Sequence, residues 1–155
     1  MKRIALYPGT FDPVTIGHQS MVKRALPLFD QIIVAIGINS SKNSYFSIEK
    51  RTQWLNTVFA PYPQVIIDSF QGLTIDYCMK MNARFILRGL RSSTDFEYER
   101  NIAQANSSLA PDIETIFLVS SPGLSAISSS IVRDIHQNGG DVSKFIPSGI
   151  MLDSY

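Results

Sequence analysis

Short apolar runs alternate with helical patterns along this chain, and that alternation constrains the fold more than any single residue does. The runs at residues 3–7, 31–38, 64–67, 85–88 and 115–119 are continuous and mostly β-branched, which suits strands covered on both faces. Between them, residues 18–29, 47–59, 73–81 and 94–109 read as helices. Ser47 can cap the second helix, with Glu49 favourable in its first turn, and Pro111 stops the fourth. A fifth helix is predicted over residues 129–137, ended by Gly139 and Gly140, with a short helical tail from Asp141 to the C-terminus. Strand alternating with helix implies a parallel sheet with right-handed crossovers. The expected architecture is α/β: a single doubly wound, Rossmann-like domain over residues 1–155 with a five-stranded parallel sheet. The fingerprint G-x-G-x-x-G is absent, so the chain does not read as an ordinary dehydrogenase.

The polar clusters fall where such a sheet binds ligands. One spans Thr10 to His18 after the first strand, another Asn39 to Asn43 after the second. A third runs from Arg88 to Arg91 after the fourth, and a last from Ser120 to Ser130 after the fifth. In a parallel sheet these four segments meet along the carboxyl edge. Together they bring an imidazole, an ammonium, two guanidiniums, many hydroxyls and a helix N-terminus, a set suited to several phosphates. It is poor in zinc-type ligands, since the only other histidine, His136, falls late in a predicted helix.

Each cluster has an ordinary structural reading as well. Gly9, Thr10, Asp12 and Pro13 are turn formers. His18 can simply begin a helix, Lys42 can be a solvated loop lysine, and Ser128 to Ser130 can be only a cap. The run Asp95 to Arg100 can be a solvated helix start. Arg88 is harder to dismiss, because a guanidinium ending an apolar run needs an anion. The ordinary readings are independent of one another, whereas a phosphate site explains their shared placement.

Composition narrows the class further. Of 155 residues, 45% are hydrophobic and 17% charged, and the net charge is +1, which argues against a general nucleic-acid surface. The lone cysteine, Cys78, reads as a small buried hydrophobe and fits a reducing compartment. The apolar run after Lys2 and Arg3 is too short for a signal-peptide core, and no stretch approaches a membrane span. The expected setting is the cytoplasm, with neither membrane nor nucleic acid as partner.

With these residues assembled, the chain resembles the phosphopantetheine adenylyltransferase family of the nucleotidyltransferase superfamily. The segments that carry the likeness are Tyr7 to Pro13, Thr15-x-Gly17-His18, Ser41-Lys42, Arg88 to Arg91, Asp95 to Glu99, and Ile127 to Ser130. The resemblance implies transfer of the adenylyl group of ATP to 4′-phosphopantetheine, giving dephospho-coenzyme A and pyrophosphate with Mg2+ assisting. It implies His18 and Lys42 as catalytic residues, and Thr10, Lys42, Thr74 and Arg88 as contacts for phosphopantetheine, with Leu73 a further candidate. It assigns ATP to Thr10, Phe11, His18, Gly89, Leu90, Arg91, Glu99, Leu124, Ser125, Ala126, Ile127, Ser128, Ser129 and Ser130. It also implies a homo-oligomer, typically a hexamer, with coenzyme A as feedback inhibitor. Ile16 stands where the family pattern leads one to expect asparagine, and Leu124 and Ala126 stand where aromatics are frequent.

Three other readings compete. A related nucleotidyltransferase would pair CTP with an alcohol phosphate, or ATP with nicotinate mononucleotide. An aminoacyl-tRNA synthetase fragment shares an H-x-G-H-like motif, but this chain lacks a K-M-S-K-S-like segment and a basic face. A regulatory nucleotide-binding module would bind ATP and release no pyrophosphate.

Overall fold

A computed structural model describes residues 1–41 and 43–153. Five strands, β1 (Ile4–Gly9), β2 (Gln31–Ile38), β3 (Val65–Gln71), β4 (Phe85–Leu90) and β5 (Glu114–Val119), form one sheet in the order β3-β2-β1-β4-β5. Every pairing is parallel. The helices are α1 (Ile16–Ala25), α2 (Ile48–Phe59), α3 (Thr74–Lys80), α4 (Ser93–Leu109) and α5 (Ser129–Gln137), with a 3-10 turn at Leu26–Leu28. This is the doubly wound arrangement expected from the alternation of elements.

Period-2 alternation divides the core into two layers. Ala5, Tyr7, Ile32, Val34 and Ile36 face α1, α2 and α5, meeting Val22, Leu55 and Val132. Leu6, Ile33 and Ala35 face the other way, toward Ile75 and Cys78 of α3. Both layers therefore cover β1 and β2, which explains their unbroken apolar runs. Coverage thins at the edges: Ile66 of β3 and Val119 of β5 are exposed, so full two-sided burial holds only for the central strands. Burial keeps the Cys78 thiol protonated, its pKa pushed up to about 12.

Several boundaries differ from expectation for identifiable reasons. β3 runs on to Gln71, because Ser69 and Phe70 find partners in Ile36 and Gly37 of β2. β4 runs on to Leu90, so Gly89 and Leu90 are strand residues paired with Leu118 and Val119. α1 begins at Ile16, which makes His18 the third helical residue rather than the first. Residues 141–153 form turns, not a helical tail. Pro147 has no N–H to give, Gly149 sits at φ 90°, and the Asp141 carboxylate accepts from Ser143 N and Oγ at 2.9 and 3.0 Å.

The arrangement that positions the site is the junction of β1 and β4. Their pairing stops after Ala5–Phe85 and Leu6–Ile86. Pro8 then has no N–H with which to continue a ladder. Strand order reverses here, since β2 and β3 lie to one side and β4 and β5 to the other. A crevice at the carboxyl edge beside such a reversal is where open sheets take ligands.

Candidate active site

The loop from β1 to α1 is built around a reciprocal cap. Thr15, 2% exposed, is the N-cap of α1, and its Oγ1 accepts from the His18 amide. In return, His18 Nδ1 accepts from the Thr15 amide at 3.0 Å. Glutamate or glutamine usually fills this return position, and a histidine does so here. The exchange makes Nδ1 an acceptor, which leaves the proton of the neutral ring on Nε2. Phe11 packs edge-on to the His18 ring at 5.0 Å, with Tyr7 on another side. Burial, reinforced by Arg91 and Arg88, lowers the imidazole pKa from 6.5 to about 4. His18 is thus neutral at pH 7 and presents one directed donor to the crevice.

Arg88 closes the gap between β1 and β4. Its Nη1 donates at 2.9 Å to the carbonyl of Pro8. Its Nε and Nη2 form a fork on Glu99 of α4, at 2.8 and 2.5 Å. The anion that a guanidinium at this position requires is therefore supplied in part by the chain itself. The Arg88 side chain keeps 30% exposure and Glu99 only 11%, so the pair remains open to a ligand from the arginine side. Glu99 is also the only residue of the seventeen in α4 to be buried.

Two further helix starts complete the walls. Ser92 caps α4, and Asp95 Oδ2 accepts from both the amide and Nε of Arg91, at 3.0 and 3.3 Å. Ser128 caps α5 by accepting from Ile131 N at 3.2 Å. Ser129 Oγ donates at 2.8 Å to the carbonyl of Pro13, and Arg133 Nη1 donates at 2.6 Å to that of Asp12. α5 is thereby fixed to the β1–α1 loop, with its N-terminal amides facing the crevice.

Two adjoining cavities result. The larger, about 360 Å3, is lined by Thr10, Phe11, His18, Arg88, Gly89, Arg91, Glu99, Leu124, Ile127, Ser128, Ser129 and Ser130 from the sequence reading. It also takes in Tyr7, Thr15 and Asp95, which that reading did not assign to ligand. The smaller, about 280 Å3, joins Thr74, Phe70, Ile86, Ile102 and Ala103 into a more apolar groove. Thr10, Arg88 and Glu99 line both. Leu90, Ser125 and Ala126 line neither, and Leu73 is an exposed N-cap of α3. Lys42 lies outside the described residues.

Tyr7 carries no local signal, since a tyrosine in an apolar strand reads as core. Burial raises its phenol pKa far above the ordinary value, so it meets the crevice as a neutral ring. Asp95 stood out as a favourable helix-start acid and as the first residue of the Asp95 to Glu99 segment, with no ligand role of its own. Among the described residues there is no cluster of three or more histidine, cysteine or acidic side chains able to hold a metal ion. No helix among them is long and apolar enough to cross a membrane.

Comparison with known proteins places this geometry in context. Residues 6–135 match the cytidylyltransferase-like family. Over 150 residues the chain is 51% identical to the phosphopantetheine adenylyltransferase of Flavobacterium psychrophilum, covering 97% of this chain and 99% of that protein. It is 50% identical over 147 residues to the protein of that name from Leptospira biflexa, covering 95% and 92%. Among solved structures, a bifunctional NMN adenylyltransferase/ADP ribose pyrophosphatase from Francisella tularensis superposes with a TM-score of 0.69 at 19% identity. The match covers 94% of this chain and 45% of that one. A second structure of that enzyme, complexed with AMP and Mn ion, also gives 0.69, at 17% identity and with 97% and 46% covered. At such identity the structural likeness bears on the fold alone.

Proposed function

The chain belongs to the phosphopantetheine adenylyltransferase family, and on that premise we propose that it transfers the adenylyl group of ATP to 4′-phosphopantetheine, releasing pyrophosphate and forming dephospho-coenzyme A. The observation that carries this reading is the pair of cavities meeting at Thr10 and Arg88. One has the imidazole, guanidiniums and helix-start amides that a triphosphate needs. The other is the apolar groove that a pantetheine arm needs, and the phosphates of the two substrates come together at the shared wall.

The chemistry asks little of a general base. The attacking phosphate is already ionised near neutral pH, so the task is to align two anions and stabilise charge developing at the α-phosphorus. His18 Nε2–H donates to an α-phosphate oxygen. A neutral donor aimed by its cap gains strength as charge accumulates, without itself losing a proton. Arg91, Ser128, Ser129 and Ser130 hold the rest of the triphosphate, and Phe11 contributes backbone to it. Gly89 and Leu90 line the nucleotide through β4, with Leu124, Ser125, Ala126 and Ile127 on the opposite wall. Thr10 and Arg88 receive the attacking phosphate, with Glu99 aiming the guanidinium from the ATP side. Thr74 meets the pantetheine arm. Lys42, assigned by resemblance, steadies the transferred group.

Magnesium, by resemblance, would reduce the charge of the triphosphate and organise pyrophosphate as the leaving group. We read residues 1–155 as one nucleotidyltransferase domain, acting in the cytoplasm as a homo-oligomer, a hexamer by resemblance, with coenzyme A as feedback inhibitor. The test is a coupled pyrophosphate assay with ATP, magnesium and 4′-phosphopantetheine, product mass identifying dephospho-coenzyme A. Product from CTP or from nicotinate mononucleotide instead would keep the fold and change the substrate. ATP binding with no product from any pair would make the chain a regulatory module.

A further inference from the structure

We propose that Arg51, which lies on α2 and outside the nucleotide cavity, is a positioning residue: it sets the plane of the Thr10–Phe11 peptide and so aims the Phe11 N–H at the nucleotide phosphates. The inference rests on the ATP-binding part of the reading above.

Arg51 is 6% exposed, and none of the ion pairs among the described residues involves it. A buried guanidinium without a carboxylate partner is costly unless its donors are used with good geometry. All of its bonds go to backbone carbonyls. Nη1 donates to Thr10 O at 2.8 Å, and Nε is shared between Phe46 O and Ser47 O at 3.1 and 3.4 Å. Burial pulls its pKa down, and Asp12 and Glu49 oppose that. Asp12, also 6% exposed, supplies the reciprocal half: its carboxylate accepts from the amides of Tyr45 and Phe46, at 2.7 and 2.9 Å. Residues 10–12 and 45–47 are thus joined in both directions by two buried side chains of opposite charge.

The consequence follows from peptide geometry. The Thr10–Phe11 bond is trans, so its C=O and N–H point in opposite directions. Arg51 draws the carbonyl toward α2. The Phe11 N–H then points away from α2, and it has no acceptor among the described residues. Phe11 lines the larger cavity, whereas Arg51 does not. Phe11 also sits at φ 48°, a conformation unfavourable for a residue with a side chain. Such a conformation persists only where surroundings impose it. Here the carbonyls of Thr10, Asp12 and Pro13 are each held by a side chain from a distant helix, namely Arg51, Arg133 and Ser129. Arg51 acts on the one peptide of the three whose N–H can meet a ligand. Its charge at the carbonyl end also polarises that peptide toward an anion at the other end.

The experiment uses 15N-labelled full chain as wild type, Arg51→Lys and Arg51→Met, with thermal melts to establish folding. Arg51→Lys keeps the charge but not the fork, so it remains informative if Arg51→Met does not fold. ATP with magnesium is the probe, read by calorimetry and by the Phe11 amide resonance. We expect a downfield shift of that amide on wild type, and a loss of that shift together with about tenfold weaker ATP binding in Arg51→Lys, as when one charged hydrogen bond is lost. The KM for phosphopantetheine should change far less, a split that general loosening of the fold does not produce. A Phe11 amide unmoved by ATP in wild type, or unchanged ATP affinity in folded Arg51→Lys, overturns the inference. A wild type that shows the amide shift but forms no dephospho-coenzyme A leaves the inference standing and removes the functional reading.

Discussion

The amide of Thr15 donates to Nδ1 of His18 at 3.0 Å, and the His18 amide donates back to the Thr15 hydroxyl. One helix cap thereby decides the tautomer of the imidazole. Local structure and the cavity share the same two residues, because the ring that closes the first turn of α1 is the ring that lines the larger cavity.

The charge state of that ring follows from its surroundings. With its pKa lowered from 6.5 to about 4, His18 binds a proton in the unfolded chain at pH values where the folded chain refuses it. Folding stability is therefore fully present above about pH 6.5 and declines as pH falls toward 4. An NMR titration of the His18 ring should show its midpoint near the lower value. A midpoint near 6.5 in the free protein would contradict the burial argument.

Removing the donor should separate catalysis from binding. His18→Ala should lower kcat by about 10²- to 10³-fold, the range for loss of one donor to a developing charge, with ATP affinity changed much less. His18→Gln restores a donor of different reach and should recover only part. Steady-state kinetics combined with ATP calorimetry checks this, and parallel losses in both would place the His18 contact in the ground state.

The Arg88–Glu99 fork should behave as a coupled pair. Glu99→Gln should cost about 2–3 kcal/mol, less than for a fully buried pair, because the Arg88 side chain keeps 30% exposure. Arg88→Met should cost more, since it leaves the better buried carboxylate without its partner. The double variant Arg88→Met/Glu99→Gln should be more stable than the sum of the singles predicts, with a coupling of about 1–3 kcal/mol. Denaturant titration of the four proteins measures it. With its internal counter-ion gone, Arg88 in Glu99→Gln should hold the attacking phosphate more tightly, so KM for phosphopantetheine falls while stability falls. A rise in that KM would mean that Glu99 matters more for aiming the guanidinium than for neutralising it.

Gly9 reports how closely the loop is packed. A Cβ at this position would lie 3.0 and 3.1 Å from two ring atoms of Phe11. The ring is 2% exposed, so it has little room to retreat. Gly9→Ala should destabilise by about 1–3 kcal/mol, as overpacking does, and weaken ATP binding by displacing the Phe11 peptide. Gly72→Ala is the control. A Cβ there meets nothing within 4 Å although φ is 90°, so strain alone should lower its melting temperature and ATP affinity should hold.

The strand and helix succession, the parallel sheet and the four polar segments along its carboxyl edge are all legible in the residues alone. These follow from hydrophobic period, turn residues and crossover handedness, all of which are local or nearly local. The likeness to the family named twelve of the residues that line the larger cavity, because those side chains lie in contiguous motifs, but not Tyr7, Thr15 or Asp95. The groups that complete them come together across the folded chain and leave no local signal. That Glu99 answers Arg88, that Arg51 holds the Thr10 carbonyl, and that Arg133 and Ser129 tether α5 to the first loop are contacts across 11 to 121 positions of chain. The helical tail expected after Asp141 failed for the same reason. Its residues pair with the core through Val142, Ile146 and Ile150, and Phe145 O accepts the Ile16 amide at 3.0 Å. Long-range partners outweigh a local pattern where Pro147 and Gly149 already weaken it.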